Sequence, residues 1–219
     1  MRPSRKHQLN KVRQKLKAKR PQLGLNMHPR WLNGKTLKQF VSALRSSGLS
    51  YFEWALNPKD PSWREAVPLI VESNRLGMKP VFHLPYKGEY IIAGFSSSRQ
   101  AELKRLYRPL LRFASHFASK EEPVTLVIHG AEAENDRSSL TRDTSGFLKW
   151  VSSTFDRVQL SLENLPHKKN LKRIGDYKSE LVSIVSKLRS PKVGICWDLG
   201  HDAVNHSIGN DSAGFLSRV

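Results

Sequence analysis

Along the chain, short apolar runs alternate with longer amphipathic stretches. The short runs are Leu23–His28, Tyr51–Leu56, Pro80–Pro85, Val124–Gly130, Val158–Asn164 and Lys192–Asp198. Each has the length and apolar character of a strand buried in a parallel sheet. Between them lie segments with helical periodicity. The first is Lys35–Ser47, closed by Gly48. The second is Pro61–Leu76, with Asp60 as its N-cap, Pro61 in its first turn and Gly77 as its terminator. Three more cover roughly Ser98–Ala118, Ser145–Phe155 and Tyr177–Leu188. A strand followed by a helix, repeated every 28 to 44 residues, predicts βαβ units and hence an α/β fold with a parallel sheet.

Periodicity alone does not separate a closed barrel from an open, doubly wound sheet. The phosphate loops of the common open folds are missing, since no G-x-G-x-x-G follows the first strand and no G-x-x-x-x-G-K-[ST] occurs anywhere. The strand ends are more telling. In order they carry His28, Glu53, His83, His129, Glu163 and Asp198, although His, Asp and Glu together make up only 27 of 219 residues. In a (β/α) barrel all strand C-termini open on one mouth, so residues distant in sequence converge there.

The segments differ in strength. "VTLVIHG" sets His129 where a buried strand meets a Gly-led loop, and "VQLSLENLP" does the same with Glu163. An ionised carboxylate buried there needs a cation or a hydrogen-bond network. "VGICWDLGH" supplies Asp198 and His201, with Gly200 expected to turn a loop so that both face one cavity. His83, His129, Glu163, Asp198 and His201 are therefore the candidate metal ligands. Imidazoles and carboxylates without thiolates suit zinc, manganese, cobalt or magnesium. His28 and Glu53, with Trp54 beside them, are candidates for substrate contact, although a lone histidine and a helix-capping glutamate also have ordinary structural uses. His7, His116, His167 and His206 are assigned no function.

Charge changes the picture at one end. Lys and Arg number 37 against 19 Asp and Glu, and nine of the basic residues fall in the first twenty positions, which hold no acidic residue. Residues 1–21 thus read as a basic extension ahead of a single domain over 22–219. Such an arm favours phosphate-bearing partners, including nucleic acid. No stretch of 18 apolar residues predicts a membrane span, and no apolar segment near the start resembles a secretory signal. The single cysteine, Cys196, excludes an internal disulfide and a thiolate zinc cage, and the expected compartment is the cytoplasm.

"VFHLPY" at 81–86, "VIHG" at 127–130, "LSLENLP" at 160–166 and "GICWDLGH" at 194–201 resemble the successive motifs of the xylose-isomerase-like TIM barrels. That superfamily includes sugar isomerases and epimerases and the apurinic endonuclease IV family. The resemblance runs from about Leu23 to His201 and implies a TIM-type (β/α) barrel. In the isomerase and epimerase branch it implies one divalent metal, with Glu163 and Asp198 among the ligands. The substrate would be a sugar or sugar-phosphate-like metabolite, and carboxylates would move its proton. In the endonuclease branch it implies zinc on His83, His129 and Glu163, with Asp198 and His201 contributing to further ions. A seventh strand with its histidine and an eighth with its glutamate are not legible after His201, where only a short helix around Ala213–Val219 is expected. The barrel is accordingly expected to be incomplete, with about six βα units. Its open strand edges would favour self-association, and activity would be weak or lost.

Overall fold

A computed structural model of the chain describes residues 23–32, 34–119, 122–134 and 136–207. The basic extension and the helix expected at Ala213–Val219 lie outside them. Among the described residues, eight strands and six α-helices follow one another: β1 (Leu23–Asn26), α1 (Leu37–Ser46), β2 (Leu49–Ala55), α2 (Trp63–Arg75), β3 (Lys79–His83), α3 (Gln100–Ser115), β4 (Val124–Ile128), β5 (Glu132–Ala133), α4 (Arg137–Thr154), β6 (Val158–Glu163), β7 (Lys172–Arg173), α5 (Lys178–Leu188), β8 (Val193–Cys196) and α6 (Leu199–Ser207). Six strands form one parallel sheet in the order β1-β2-β3-β4-β6-β8, and β5 pairs with β7 in a separate antiparallel ribbon. This is a (β/α) barrel wall with β1 and β8 as its two edges.

The register sorts side chains onto two faces, because successive residues of a strand point to opposite sides. Trp54, Phe82, Leu126, Leu160 and Val193 lie side by side across five strands, and all are buried. This row faces the helices, where Phe82 meets Phe113 of α3 with ring centroids 5.8 Å apart, and Phe52 meets Phe40 of α1 at 6.2 Å. Each large side chain buried this way stabilises the fold by about 1.5–3 kcal/mol. On the other face Glu53, Val81, Thr125 and Gln159 form the matching row and are only half-buried. They line a cavity of about 1010 Å³ on the inner side of the sheet.

Within the described residues the strands and helices expected from the sequence are present, and three local readings change. Asp60 does not cap α2. The N-cap is Ser62, and Asp60 accepts hydrogen bonds from the Ser62 amide and hydroxyl in the turn before it. Helix α4 begins at Arg137, eight residues before the apolar periodicity starts. Its first two turns bury Asp143 and Thr144 alongside Leu140. Asp143 accepts from the amides of Gly94 and Ser96 at 2.6 and 2.7 Å, and Thr144 accepts from the Ala131 amide at 2.9 Å. The polar groups are buried because the backbone of neighbouring loops satisfies them. Third, the segment after β8 is helical, as described below.

Connections on the C-terminal side of the sheet are stiffened by polar side chains. Arg99 donates to the carbonyls of Glu89 and Ile91 at 2.7 and 2.8 Å. The fully buried Tyr107 hydroxyl lies 2.8 Å from the Pro85 carbonyl and 2.7 Å from that of Tyr90. Together with Asp143 they fix the loop that follows His83. Among the described residues, no helix is long and apolar enough to cross a membrane.

Candidate metal centre

Strands β3, β4 and β6 each deliver one side chain to the same point above the sheet. His83 ends β3, His129 follows β4, and Glu163 ends β6. Glu163 Oε2 lies 3.1 Å from His83 Nε2 and 2.9 Å from His129 Nε2. Gly130, next to His129, lets the chain after β7 pack closely here, because a Cβ there would collide with the Ile174 carbonyl oxygen. That close contact lets Ile174 donate its amide to the Ala131 carbonyl and seat the β5–β7 ribbon beside the site.

On the other side of Glu163 stand Asp198 and His201. The sequence reading placed them on a Gly-turned loop. They instead open helix α6, with Asp198 as its cap: its Oδ1 accepts from the His201 amide at 2.9 Å, and its carbonyl accepts from the Asp202 amide at 3.1 Å. Gly200 is helical, and its missing side chain leaves room for the capping carboxylate, since a Cβ would sit 3.1 Å from Asp198 Oδ1. Asn164 aligns this turn with β6. Its side-chain amide donates to the Asp198 carbonyl at 2.9 Å and its oxygen accepts from the Asp198 amide. His201 Nδ1 donates to the Asn164 carbonyl at 2.8 Å and lies 3.7 Å from Asp198 Oδ2.

All five residues expected as ligands are thus brought together. They form two groups of three, His83–His129–Glu163 and Glu163–Asp198–His201, whose candidate donor atoms lie within 4.8 Å of one another in each group. Glu163 belongs to both. Its side chain is 8% exposed, against 35% for Asp198 and 29% for His201, so the first group is sheltered and the second faces solvent.

The electrostatics favour a positive charge at the centre. Burial alone would raise the Glu163 carboxyl, but hydrogen bonds and charge from His129 and His83 outweigh it and hold the group at about 2. Burial opposes charging of His83, yet the hydrogen bond and charge of Glu163, helped by the Leu84 carbonyl, carry its pKa above the ordinary imidazole value. His129 moves the other way: burial lowers it, and the neighbouring His83 adds to that.

A divalent cation fits these donors. His83 Nδ1 faces the Leu84 carbonyl at 2.9 Å and so carries a proton there, which leaves Nε2 of the neutral ring with its lone pair toward the carboxylate. Two imidazole nitrogens converging on one carboxylate oxygen repel it unless a proton or a cation intervenes. Cys196 belongs to neither donor group, and burial and then the charges of Glu163, Glu53 and Asp198 push its thiol up to about 12.

Other expected site residues are placed differently. Glu53 lies on the inner face, lines the large cavity and accepts from Asn26 at 3.1 Å. His28 follows β1 and joins neither donor group. Trp54 is corrected: alternation turns it away from Glu53 into the helix-side core, 2% exposed and edge-on to Phe52. The cavity itself has Glu53, Cys196 and Trp197 among its lining residues, and none of the five donors lines it. Sequence reasoning missed Tyr86 as part of the site and gave no role to Asn164, which follows Glu163 in "LSLENLP". Tyr86 stacks on His129 with centroids 3.7 Å apart and meets His83 edge-on at 5.5 Å. Its place in "HLPY", three residues after His83, was the available signal.

Solved structures with this arrangement of strands and helices have TM-scores of 0.55 to 0.57 to the chain. One is a D-psicose 3-epimerase with D-tagatose from Clostridium cellulolyticum H10, 14% identical over 76% of this chain and 59% of that one. Another is an L-ribulose 3-epimerase, 15% identical over 78% and 57%. A third is the IolI protein with a bound zinc atom, 16% identical over 83% and 64%. The fold shared with them is the TIM-type (β/α) barrel. At this identity the likeness establishes the fold alone, and the chain spans about three fifths of the length of these structures. No family model and no curated protein matches the sequence.

Proposed function

We propose that the chain is the metal-binding part of an isomerase or epimerase acting on a sugar or sugar-phosphate-like metabolite. The observation that carries this reading is the Glu163 carboxylate, held between two histidines and the Asp198–His201 pair at the C-terminal ends of barrel strands. The D-psicose and L-ribulose 3-epimerases that share the fold support it.

His83, His129, Glu163, Asp198 and His201 would hold the ion. When bound, a divalent cation polarises a carbonyl or phosphoryl oxygen. Glu163 is ionised from about pH 2 upward, so it is available to take a proton from the carbon next to a substrate carbonyl. The C–H electron pair moves toward the carbonyl oxygen, and return of the proton completes the exchange. A carboxylate of such low pKa is a weak base, so the step depends on a polarised carbonyl. Glu53 and His28, at neighbouring strand ends, would contact substrate hydroxyls, and the Tyr86 ring would fix the plane of His129.

A second reading has its own support. Glu163 belongs to both donor groups, and the resemblance to the endonuclease IV branch implies a zinc phosphodiesterase with one ion on His83, His129 and Glu163 and two more to which Asp198 and His201 contribute. The test uses the purified chain with manganese, cobalt or zinc, D-psicose or L-ribulose in deuterium oxide, and an oligonucleotide bearing an abasic site. The proposal expects one metal equivalent and deuterium at the carbon next to the carbonyl, both abolished by Glu163→Gln. Two or more equivalents with strand cleavage and no exchange would move the assignment to the phosphodiesterase. Absence of metal binding would reject both and leave a non-catalytic protein.

A further inference from the structure

A second polar site lies on the loop between β6 and β7. His167 Nδ1 is 3.0 Å from Asp176 Oδ2, and the Asp176 side chain is fully buried. The other carboxylate oxygen of Asp176 receives Arg137, which also forks onto Glu180 with bonds of 2.6 and 2.7 Å. Asp176 thus accepts from Arg137 and from His167 Nδ1, and the ring is held in one orientation with Nε2 directed away from the carboxylate. The Arg137 guanidinium in turn lies 4.5 Å from the Tyr177 ring centroid. Burying a carboxylate completely to orient one partly exposed imidazole is costly unless the imidazole or the ion pair has a use.

That imidazole lines a cavity of about 280 Å³ whose wall also includes Arg137, Lys168, Lys169, Lys172 and one carboxylate, Glu134. The backbone folds back between Lys168 and Leu171, which sets the exposed lysines around one opening. None of the three lysines has an ion-pair partner among the described residues, whereas Arg137 is held by Asp176 and Glu180. The volume is below the range of about 300–1,000 Å³ usual for whole drug-sized ligands, so it suits a small group carried by a ligand. Three lysines offer donors to an anion with several acceptor oxygens, and the oriented imidazole offers Nε2 to a hydroxyl of the same ligand.

We infer that this cavity is a recognition site for a phosphate group, with Lys168, Lys169 and Lys172 supplying charge and donors and His167 Nε2 accepting from a protonated phosphate oxygen. The inference uses none of the five candidate metal ligands and stands or falls separately from the catalytic reading.

The test titrates the full chain with inorganic phosphate and with glucose 6-phosphate by calorimetry, in the presence of a chelator so that metal plays no part. Both probes should bind saturably. Lys168→Ser combined with Lys169→Ser should weaken binding by about tenfold, the scale of one lost charge-assisted bond, and His167→Gln should weaken it too. Lys35→Ser with Lys38→Ser removes equal charge elsewhere and should change little. If both probes bind equally well, the site serves the free anion; if the ester binds more tightly, it serves the phosphate of an ester. No saturable binding, or an equal loss in both double variants, overturns the inference. All these lysines are exposed, so folding, followed by circular dichroism, should be unaffected.

Discussion

The two faces of the six-stranded sheet differ in what they hold and in how tightly. On the helix side, Trp54, Phe82, Leu126 and Leu160 are at most 2% exposed and pack against α1 to α5. On the inner side, Tyr51, Glu53, Thr125 and Gln159 border a cavity of about 1010 Å³ and are only half-buried, and Lys79 beside them is exposed. The same strands therefore perform two tasks by alternation. One face supplies the burial that makes the domain fold. The other is excused from packing and can carry ionisable groups, which reach full expression where β3, β4 and β6 end in His83, His129 and Glu163.

The largest expected effect tests that division directly. Phe82→Ala should cost about 3–5 kcal/mol of unfolding free energy, because it opens a hole between sheet and α3. Val81→Ala, one residue away on the cavity side, should cost about 1 kcal/mol or less. Urea unfolding of both variants checks this, and equal losses would erase the distinction between the faces.

A smaller effect sharpens it at the strand ends. Asn164→Ala removes the clamp on the Asp198 backbone without touching a donor atom. Divalent-metal affinity should fall about 10- to 100-fold, as for other residues that orient ligands. Thr125→Ala, lower on the same face, should leave affinity unchanged in parallel zinc titrations.

The smallest effect is a pH dependence of the metal-free protein. The folded Glu163 carboxyl is depressed from 4.5 to about 2. Between those values the folded state binds fewer protons than the unfolded chain, so Glu163 contributes stability above the upper value that disappears as pH falls toward the lower one. His83, raised by the same pair, contributes stability at low pH that is lost as pH rises through its elevated pKa. Melting temperatures of the native chain minus those of Glu163→Gln, measured with chelator, should shrink as pH drops from about 4.5 to about 2. A pH-independent difference would remove the ion pair from the account.

How much was legible beforehand follows from the same contrast. The strands could be read because the helix-side residues make apolar runs, and the five donors could be read because they end those runs. The start of α4 could not, since its buried positions are Asp143 and Thr144, satisfied by loops distant in sequence. Helix α6 was hidden by Gly200, which suggests a turn. The signal for a helix was Asp198 itself, a capping residue ahead of a helix-compatible segment. Trp54 was misplaced because adjacency to Glu53 was taken as nearness, whereas neighbours along a strand point apart. The β5–β7 ribbon and the His167 cavity depend on contacts between segments with no local pattern.

The central claim is that Glu163 is the shared ligand of a divalent-metal centre. Cobalt(II) titration of the full chain tests it most directly, read by visible absorption at neutral pH. The account predicts bands of low-symmetry nitrogen and oxygen coordination that saturate, vanish in Glu163→Gln and persist in the cavity variant Thr125→Ala. Bands of equal strength in Glu163→Gln, or none in the native chain, would contradict it.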